Sequence, residues 1–374
     1  MKKTLLAIAL LGAYAGAQAQ TNVTIYGSFD GGIRYQNHQD AAGHSRITMG
    51  SNGTYNSNRL GFKGIEDLGG GLNAHFTLEA GFNNGSGALN NTNNQLFERS
   101  AFIGLGSQWG SLDLGRQYTV AYKTVGPYDP FDFKYPSIIP TSQASVSAGQ
   151  RVNNDIQYTG SFGPITARAE WALGEQAGSA RDNSQQALGV TWAGGPFSVG
   201  GAYTLRKPAL IPATAATPPT NFQDNRSWTL GGSYTIAGVK IAIGYARETQ
   251  DRATGNSTDQ KNAWGGASYN FNSALGVAAG YYQTQVDNVL TTNSSGKRQL
   301  FIVGSTYKLS KRTNFYADLD YARYTDALRA TLPVAATSGG QLAGLGGGTS
   351  QLPLATTNGQ GNQLGFSVGI NHVF

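Results

Sequence analysis

The feature that most constrains this chain is an alternation of apolar and polar residues with a period of two. In the first such segment one parity carries Val23, Ile25, Gly27, Phe29, Gly31, Ile33 and Tyr35. The other parity carries charged and polar residues, among them Asp30 and Arg34. A period of two places the two sets on opposite faces of a strand, whereas a helix would scatter both around its circumference. The segment therefore predicts a β-strand.

The same alternation recurs along the chain. It is clearest at residues 72–82, 165–171, 228–245, 317–321 and 364–370. Short connections rich in Gly, Asn and Ser, such as Ala237-Gly238 and Asn272-Ser273, are typical of tight hairpins. They alternate with long connections, including 36–57, 118–150 and 325–362. The pattern predicts an all-β fold of about sixteen antiparallel strands connected up and down, with short turns at one rim and long loops at the other.

A targeting segment precedes the first strand. Lys2 and Lys3 form a basic region, residues 4–16 are mostly apolar, and Ala17-Gln18-Ala19 matches the A-x-A cleavage pattern. A membrane-spanning helix would need roughly 20 apolar residues, which this segment lacks. We therefore expect residues 1–19 to be a signal peptide cleaved after Ala19, and residues 20–374 to form one β-domain.

The polar parity favours a membrane barrel over a soluble β-sandwich. Arg168 with Glu170, and Asp318 with Asp320, share the polar face of their segments, which suits a water-filled interior. The chain has no cysteine, so closure of the sheet rather than disulfides must hold it together. The formal net charge of +6 becomes +4 when Lys2 and Lys3 are removed, which gives no reason to expect a nucleic-acid partner. We predict a transmembrane antiparallel β-barrel.

Several segments resemble a known family in their order and spacing. They are Val23-Thr24-Ile25-Tyr26-Gly27, Asn58-Arg59-Leu60-Gly61-Phe62-Lys63-Gly64, Phe102-Ile103-Gly104-Leu105, Leu114-Gly115-Arg116-Gln117 and the final Phe374. The chain resembles the trimeric general porins of Gram-negative bacteria, in the branch typical of β-proteobacteria. The resemblance implies a homotrimer in the outer membrane, in contact with its lipid and lipopolysaccharide. It also implies passive diffusion of ions and small hydrophilic solutes, without a cofactor or metal.

The resemblance further implies which residues shape the channel. The third long connection, 118–150, is expected to fold into the barrel and to present Asp129 and Asp132. Arg59, Arg99 and Arg151 fall at positions similar to the family's arginine cluster on the facing wall. Three arginines against two aspartates imply a mild preference for anions, with Lys63, Glu79 and Lys123 as further lumen charges. Phe374 is expected to be read by the barrel-assembly machinery, although it would also suit a lipid-facing aromatic girdle.

Two other functions are consistent with a barrel. A sugar-specific channel would need an aromatic track, and Tyr26, Tyr282 and Tyr316 lie on separate strands. A barrel phospholipase would need a Ser–His pair on the lipid face. The histidines are His38, His44, His75 and His372, and none lies on an apolar row at a suitable spacing from a serine. We therefore expect a diffusion channel rather than an enzyme.

Overall fold

The structure is a computed structural model that describes residues 22–49, 53–91, 94–139, 150–207, 222–252, 256–288, 295–329 and 359–374. The predicted signal peptide and its cleavage site lie outside these residues, so both remain predictions. In the described part of the chain, no helix is long and apolar enough to cross a membrane.

The described residues form seventeen strands. They are β1 (Asn22–Gln36), β2 (Arg46–Met49), β3 (Arg59–Gly69), β4 (Leu72–Gly81), β5 (Ser100–Ser107), β6 (Gly110–Tyr118), β7 (Arg151–Phe162), β8 (Ile165–Ala172), β9 (Gln185–Gly194), β10 (Phe197–Arg206), β11 (Phe222–Ile236), β12 (Val239–Arg252), β13 (Thr258–Asn270), β14 (Leu275–Asp287), β15 (Gly296–Lys308), β16 (Thr313–Asp326) and β17 (Asn362–Val373).

The strands close into one antiparallel barrel. From β3 onwards each strand pairs with its neighbour in the sequence, and β17 returns to pair with β1 from Ser28↔Val373 to Gln36↔Gly365. Strands β2 and β3 pair with successive parts of β1, at Ile33–Gln36 and at Asn22–Ser28, so together they occupy one position in the wall. The wall therefore has sixteen strand positions, which confirms the predicted fold class.

The two faces of the wall carry the two parities of the sequence. On β12, Ile241 and Ile243 point outwards and are 44% and 61% exposed, whereas Ala242 between them is buried inside. The same alternation places Ile33 and Leu319 outside, and Arg34 and Asp318 inside. Because lipid solvates the apolar face and the interior is polar, the alternation is the one expected of a membrane barrel.

The main buried cluster is formed by a loop inside the barrel. After β6 the chain turns inwards and forms a short helix, α1 (Val120–Val125), followed by a 3-10 helix (Gly126–Tyr128). Val120, Val125, Tyr135 and Ile139 on this segment are almost fully buried against the wall. The expected inward folding of loop 118–150 is therefore confirmed for residues 119–139, while residues 140–149 lie outside the described part.

A second segment also enters the lumen, which the sequence did not indicate. Residues 36–57 were expected to form one long connection at the rim, but they contain β2, and residues 53–58 turn into the barrel. Thr54, Asn56 and Asn58 are all buried there. The carboxylate of Asp30 on β1 accepts backbone N–H groups from Tyr55 at 2.8 Å and Asn56 at 2.6 Å. The expectation was wrong for this stretch, because a lumen-facing acid on β1 supplies hydrogen bonds that draw the backbone inwards.

Candidate functional site

Glycines on the inner wall provide the space in which the inward loop sits. A Cβ added to Gly231 on β11 would lie 2.6 Å from Cδ2 of Tyr128, and one added to Gly304 on β15 would lie 2.7 Å from the Tyr135 hydroxyl. Gly266 on β13 is similarly filled by a side chain of this loop, Pro130. Real Cβ atoms do not approach other atoms this closely, so glycine is required at these three positions of the wall.

Hydrogen bonds between the wall and the inward loop hold the loop in this position. Trp264 Nε1 on β13 donates to the carbonyl of Tyr128 at 2.9 Å. The hydroxyl of Tyr282 on β14 donates to Asp129 Oδ1 at 2.5 Å, while Asp129 Oδ2 accepts the N–H groups of Phe131 and Phe133. Asp129 is fully buried, and this burial raises the pKa of its carboxyl to about 6.

The prediction that Asp129 presents a charge to the channel is therefore wrong. Its carboxylate faces the wall, because a buried acceptor can satisfy two loop N–H groups and the Tyr282 hydroxyl at once. Asp132, three residues further on, is 69% exposed at its side chain and bonds Lys240 Nζ on β12 at 2.7 Å. Of the two predicted acids, only Asp132 reaches the channel.

The three predicted arginines do come together. Arg59, Arg99 and Arg151 line one cavity of about 190 Å³ with Asp132. The rest of its lining comes from the inward loop and its flanks, from the end of β6 and from the second inward segment: Asn56, Ser57, Tyr118, Tyr122, Phe133, Lys134, Pro136 and Gln150. The cavity thus lies between the arginine side of the wall and the tip of the loop.

Glu79 on β4 organises two of these arginines. Its carboxylate accepts from Arg99 Nε at 2.5 Å and lies 3.8 Å from Arg59 Nε. The hydroxyl of Tyr26 on β1 donates to the same carboxylate at 3.0 Å. The predicted lumen charge Glu79 is therefore placed inside the arginine cluster, where it offsets part of the positive charge.

Two lysines that the sequence did not single out complete the charge pattern. Lys240 pairs with Asp132, and Lys134 Nζ lies 5.3 Å from the ring centroid of Tyr55. Burial and the nearby Arg59 lower the pKa of Lys134 to about 8. Among the lining side chains and their ion-pair partners, five cations stand against Glu79 and Asp132, which leaves a net charge of +3.

The remaining predicted charges lie apart from this cavity. Lys63 projects from the next inward position along β3 from Gly61, with Nζ 5.4 Å from the ring centroid of Tyr26. Lys123 on α1 donates to Gln117 Oε1 at 2.9 Å and to Gln157 Oε1. Lys123 therefore anchors the loop to the wall and does not line the cavity.

Phe374 closes the barrel at its seam. Its backbone N–H donates to the Gly27 carbonyl at 3.2 Å, and its carbonyl accepts from Gly27 N at 3.1 Å. Its ring lies over Gly27, where an added Cβ would approach the ring to 2.5 Å. The side chain is partly exposed on the outside of the barrel, at the position of an aromatic girdle.

A closed sixteen-position barrel with an apolar exterior, a polar interior and a loop folded into its lumen defines a membrane channel of the porin class. Comparison with known proteins makes the assignment specific. The chain matches the Gram-negative porin family over residues 6–327, and it belongs to that family. It is accordingly an outer-membrane protein, and porins of this family are non-enzymatic channels for small hydrophilic solutes.

Individual relatives agree with this assignment. The chain is 34% identical to an outer membrane porin protein of Bordetella pertussis, over 86% of this chain and 94% of the relative. It is 31% identical to outer membrane porin protein 32 of Delftia acidovorans, over the full length of both. The structure matches the anion-selective porin from Comamonas acidovorans with a TM-score of 0.73 and 26% identity, covering 95% of this chain and 100% of that one. OmpT of Vibrio cholerae in its trimer form matches at a TM-score of 0.66 with 16% identity, covering 95% and 99%, which shows the fold alone.

Proposed function

We propose that this porin is a general diffusion channel with a mild preference for anions, selected at the cavity between Arg59, Arg99, Arg151 and the loop tip. The observation that carries the proposal is the net charge of +3 around a space of about 190 Å³. The similar structure from Comamonas acidovorans is that of an anion-selective porin.

The size of the cavity makes each charge effective. At physiological ionic strength, charges are screened over about 8 Å. Asp132 and the three arginines line the same cavity, so an ion that passes between them lies close to charges on both sides. Asp132 on the loop side and the arginines on the opposite wall also create a transverse field, which orients dipolar solutes and disfavours apolar ones.

The lumen tyrosines support diffusion over sugar recognition. A sugar channel would offer a row of free aromatic faces, but Tyr26 bonds Glu79 and Tyr282 bonds Asp129. Tyr316 stacks on Tyr55 with ring centroids 5.1 Å apart. These tyrosines thus organise the constriction and its loop, so we infer no sugar track.

We further infer that the chain is not an enzyme. His75 Nε2 contacts Asp113 at 2.8 Å on the inner wall, and His44 contacts Asp40 at 2.5 Å in a surface loop. His372 Nδ1 lies 2.9 Å from the Thr313 hydroxyl at the opposite end of the barrel. These partners favour local structural roles for the histidines over a Ser–His pair on the lipid face.

We also propose a homotrimer whose contacts involve the outer face of β3–β5. The sequence contains no tyrosine or tryptophan between Tyr55 and Trp109, a stretch that includes all three strands. Elsewhere the outer face carries exposed Tyr and Trp side chains, such as Tyr203, Trp228 and Tyr321, as expected where a barrel meets the lipid headgroups. A face without this girdle is better suited to contact with other copies. Sizing in mild detergent tests this, and a dominant monomer would contradict it.

Three further proposals come from the sequence. Cleavage after Ala19 is tested by N-terminal sequencing of the membrane form, which should begin at Gln20. Reading of Phe374 by the barrel-assembly machinery is tested by Phe374→Ala, which should slow insertion in cells. Contact with lipopolysaccharide is tested by its retention on the purified protein through a mild detergent exchange.

Planar-bilayer recordings test the channel function. We expect conductance steps in groups of three with weak solute preference, and a reversal potential in a salt gradient that favours anions. The double variant Arg59→Glu with Arg151→Glu should shift the reversal potential towards cations. An unchanged value would show that selection occurs elsewhere in the lumen.

A further inference from the structure

One phenol group joins two arginines of the constriction. The hydroxyl oxygen of Tyr118, the last residue of β6, accepts from Arg99 Nη2 at 2.9 Å and from Arg151 Nη2 at 2.8 Å. A phenol oxygen has two acceptor sites, and here both are used by cationic donors. Two groups of like charge are thus held next to each other by one phenol oxygen.

The two arginines depend on this acceptor to different degrees. Arg99 is also held by Glu79, through its Nε at 2.5 Å. The other described contacts of Arg151 are weaker, since its Nη1 donates to Gln150 Oε1 at 3.3 Å and its guanidinium lies 4.4 Å from the ring centroid of Tyr118. Arg151 therefore relies on Tyr118 for both its best hydrogen bond and its stacking surface.

Tyr118 is itself fixed by the inward loop. Its ring stacks on Tyr122 of α1 with centroids 4.7 Å apart and an interplanar angle of 12°. Tyr122 in turn stacks on Phe133 near the loop tip, at 4.2 Å and 15°. The guanidinium of Arg151 and the three rings form one continuous column from the wall to the loop tip.

We propose that Tyr118 is a positioning residue that sets the ion preference of the constriction by holding Arg151 beside Arg99. The hydroxyl group holds the Arg151 guanidinium at the cavity by a hydrogen bond. The stacking of Tyr118 on Tyr122, and of Tyr122 on Phe133, fixes the position of that hydroxyl relative to the loop. Without the hydroxyl, Arg151 has no strong hydrogen bond at the cavity and moves into the wider lumen, where solvent and salt screen its charge. This inference rests on the proposed anion preference of the channel.

The test compares Tyr118→Phe with Tyr324→Phe in planar bilayers. Both variants lose one phenol hydroxyl inside the barrel, but the hydroxyl of Tyr324 on β16 donates to Gln363 Oε1 at 3.4 Å and Tyr324 does not line the cavity. We expect Tyr118→Phe to move the reversal potential towards cations by at least half of the shift caused by Arg151→Gln. Tyr324→Phe should leave the reversal potential at the wild-type value. Folding of each variant is checked by the mobility of the unheated barrel on a gel.

A double-mutant cycle separates positioning from general structural damage. If Tyr118 acts through Arg151, adding Tyr118→Phe to Arg151→Gln should change the reversal potential no further. A full additional shift in that background would overturn the proposal. Should the phenylalanine variant fail to refold, Tyr118→Trp repeats the test, because an indole keeps a ring in the column but offers no acceptor.

The outcomes also distinguish this inference from the function on which it rests. If Arg151→Gln shifts the reversal potential but Tyr118→Phe does not, the positioning role is wrong and the anion-selecting cavity stands. If neither variant shifts it, the cavity itself is not the selective element.

Discussion

Replacing Gly231 by alanine should narrow the channel from the wall side. An added Cβ would lie 2.6 Å from Cδ2 of Tyr128 and 2.9 Å from its Cβ, whereas carbon atoms pack at about 3.5–4.0 Å. Tyr128 must therefore move by about 1 Å towards the lumen. The adjacent Asp129 follows, because it is part of the same compact turn.

The effect reaches the cavity through the loop. Asp132, Phe133, Lys134 and Pro136 of the same loop line the cavity, so a loop displaced by about 1 Å from the wall side moves towards the arginines. Since the conductance of a constriction scales with its cross-section, single-channel conductance should fall. The overpacking should also cost about 1–3 kcal/mol of folding free energy.

The matched control is Gly232→Ala on the same strand. Its added Cβ points outwards, and its nearest contact is the Ser198 carbonyl oxygen at 3.3 Å. Single-channel recording at fixed salt should show the reduced conductance for Gly231→Ala but not for Gly232→Ala. Equal conductance in both variants and the wild type would refute the idea that the wall glycines set the width of the channel.

Three further predictions concern charge. Because burial and Arg59 lower the pKa of Lys134 to about 8, the anion preference measured by reversal potential should weaken between pH 7 and pH 9, and Lys134→Arg should abolish this change. Burial raises the pKa of Asp129 from 3.8 to about 6, so the stabilisation by its protonated form is complete below about pH 4 and is lost as the pH rises through about 6. In urea unfolding of the protein in vesicles, the free energy of unfolding should therefore fall between pH 4 and pH 6, and Asp129→Asn should remove this pH dependence. Ile243→Arg on the lipid face should lower the free energy of unfolding by about 2–4 kcal/mol in the same assay. Ser268→Arg, on the inner face of the neighbouring strand β13, should lower it by less. Equal losses in the two variants would contradict the assignment of the two faces.

Much of the wall could be predicted from the sequence, because the alternation of apolar and polar residues along a strand directly indicates its outer and inner faces. On β12, the parity of Ile241 and Ile243 against Ala242 gives the outer and inner faces without any knowledge of the partner strands. Arg59 and Arg151 were likewise expected in the lumen, and both line the cavity. The face of Arg99 could not be read from its flanking residues, and its position was predicted only from the resemblance.

The contacts of the inward segments could not be predicted, since the alternation of apolar and polar residues indicates the direction of a side chain only within a strand. Asp129 and Asp132 are equivalent in the sequence pattern, yet one is buried and the other is exposed. The inward position of Tyr118 could not be predicted for a related reason. Consecutive residues Gln117 and Tyr118 both contact groups inside the barrel, which regular alternation forbids. The pairing of β6 with β7 shifts register between Gly115 and Gln117, and such a bulge re-aims the side chains beyond it.

The seam between β1 and β17 determines when the barrel can be completed. Ser28 on β1 bonds Asn371 on β17 across 343 positions of the sequence. Until β17 is in place, the edge of β1 that pairs with it has unpaired backbone groups, and no local folding can satisfy them. Because lipid cannot satisfy them either, the wall is sealed only when the first and last strands are both present.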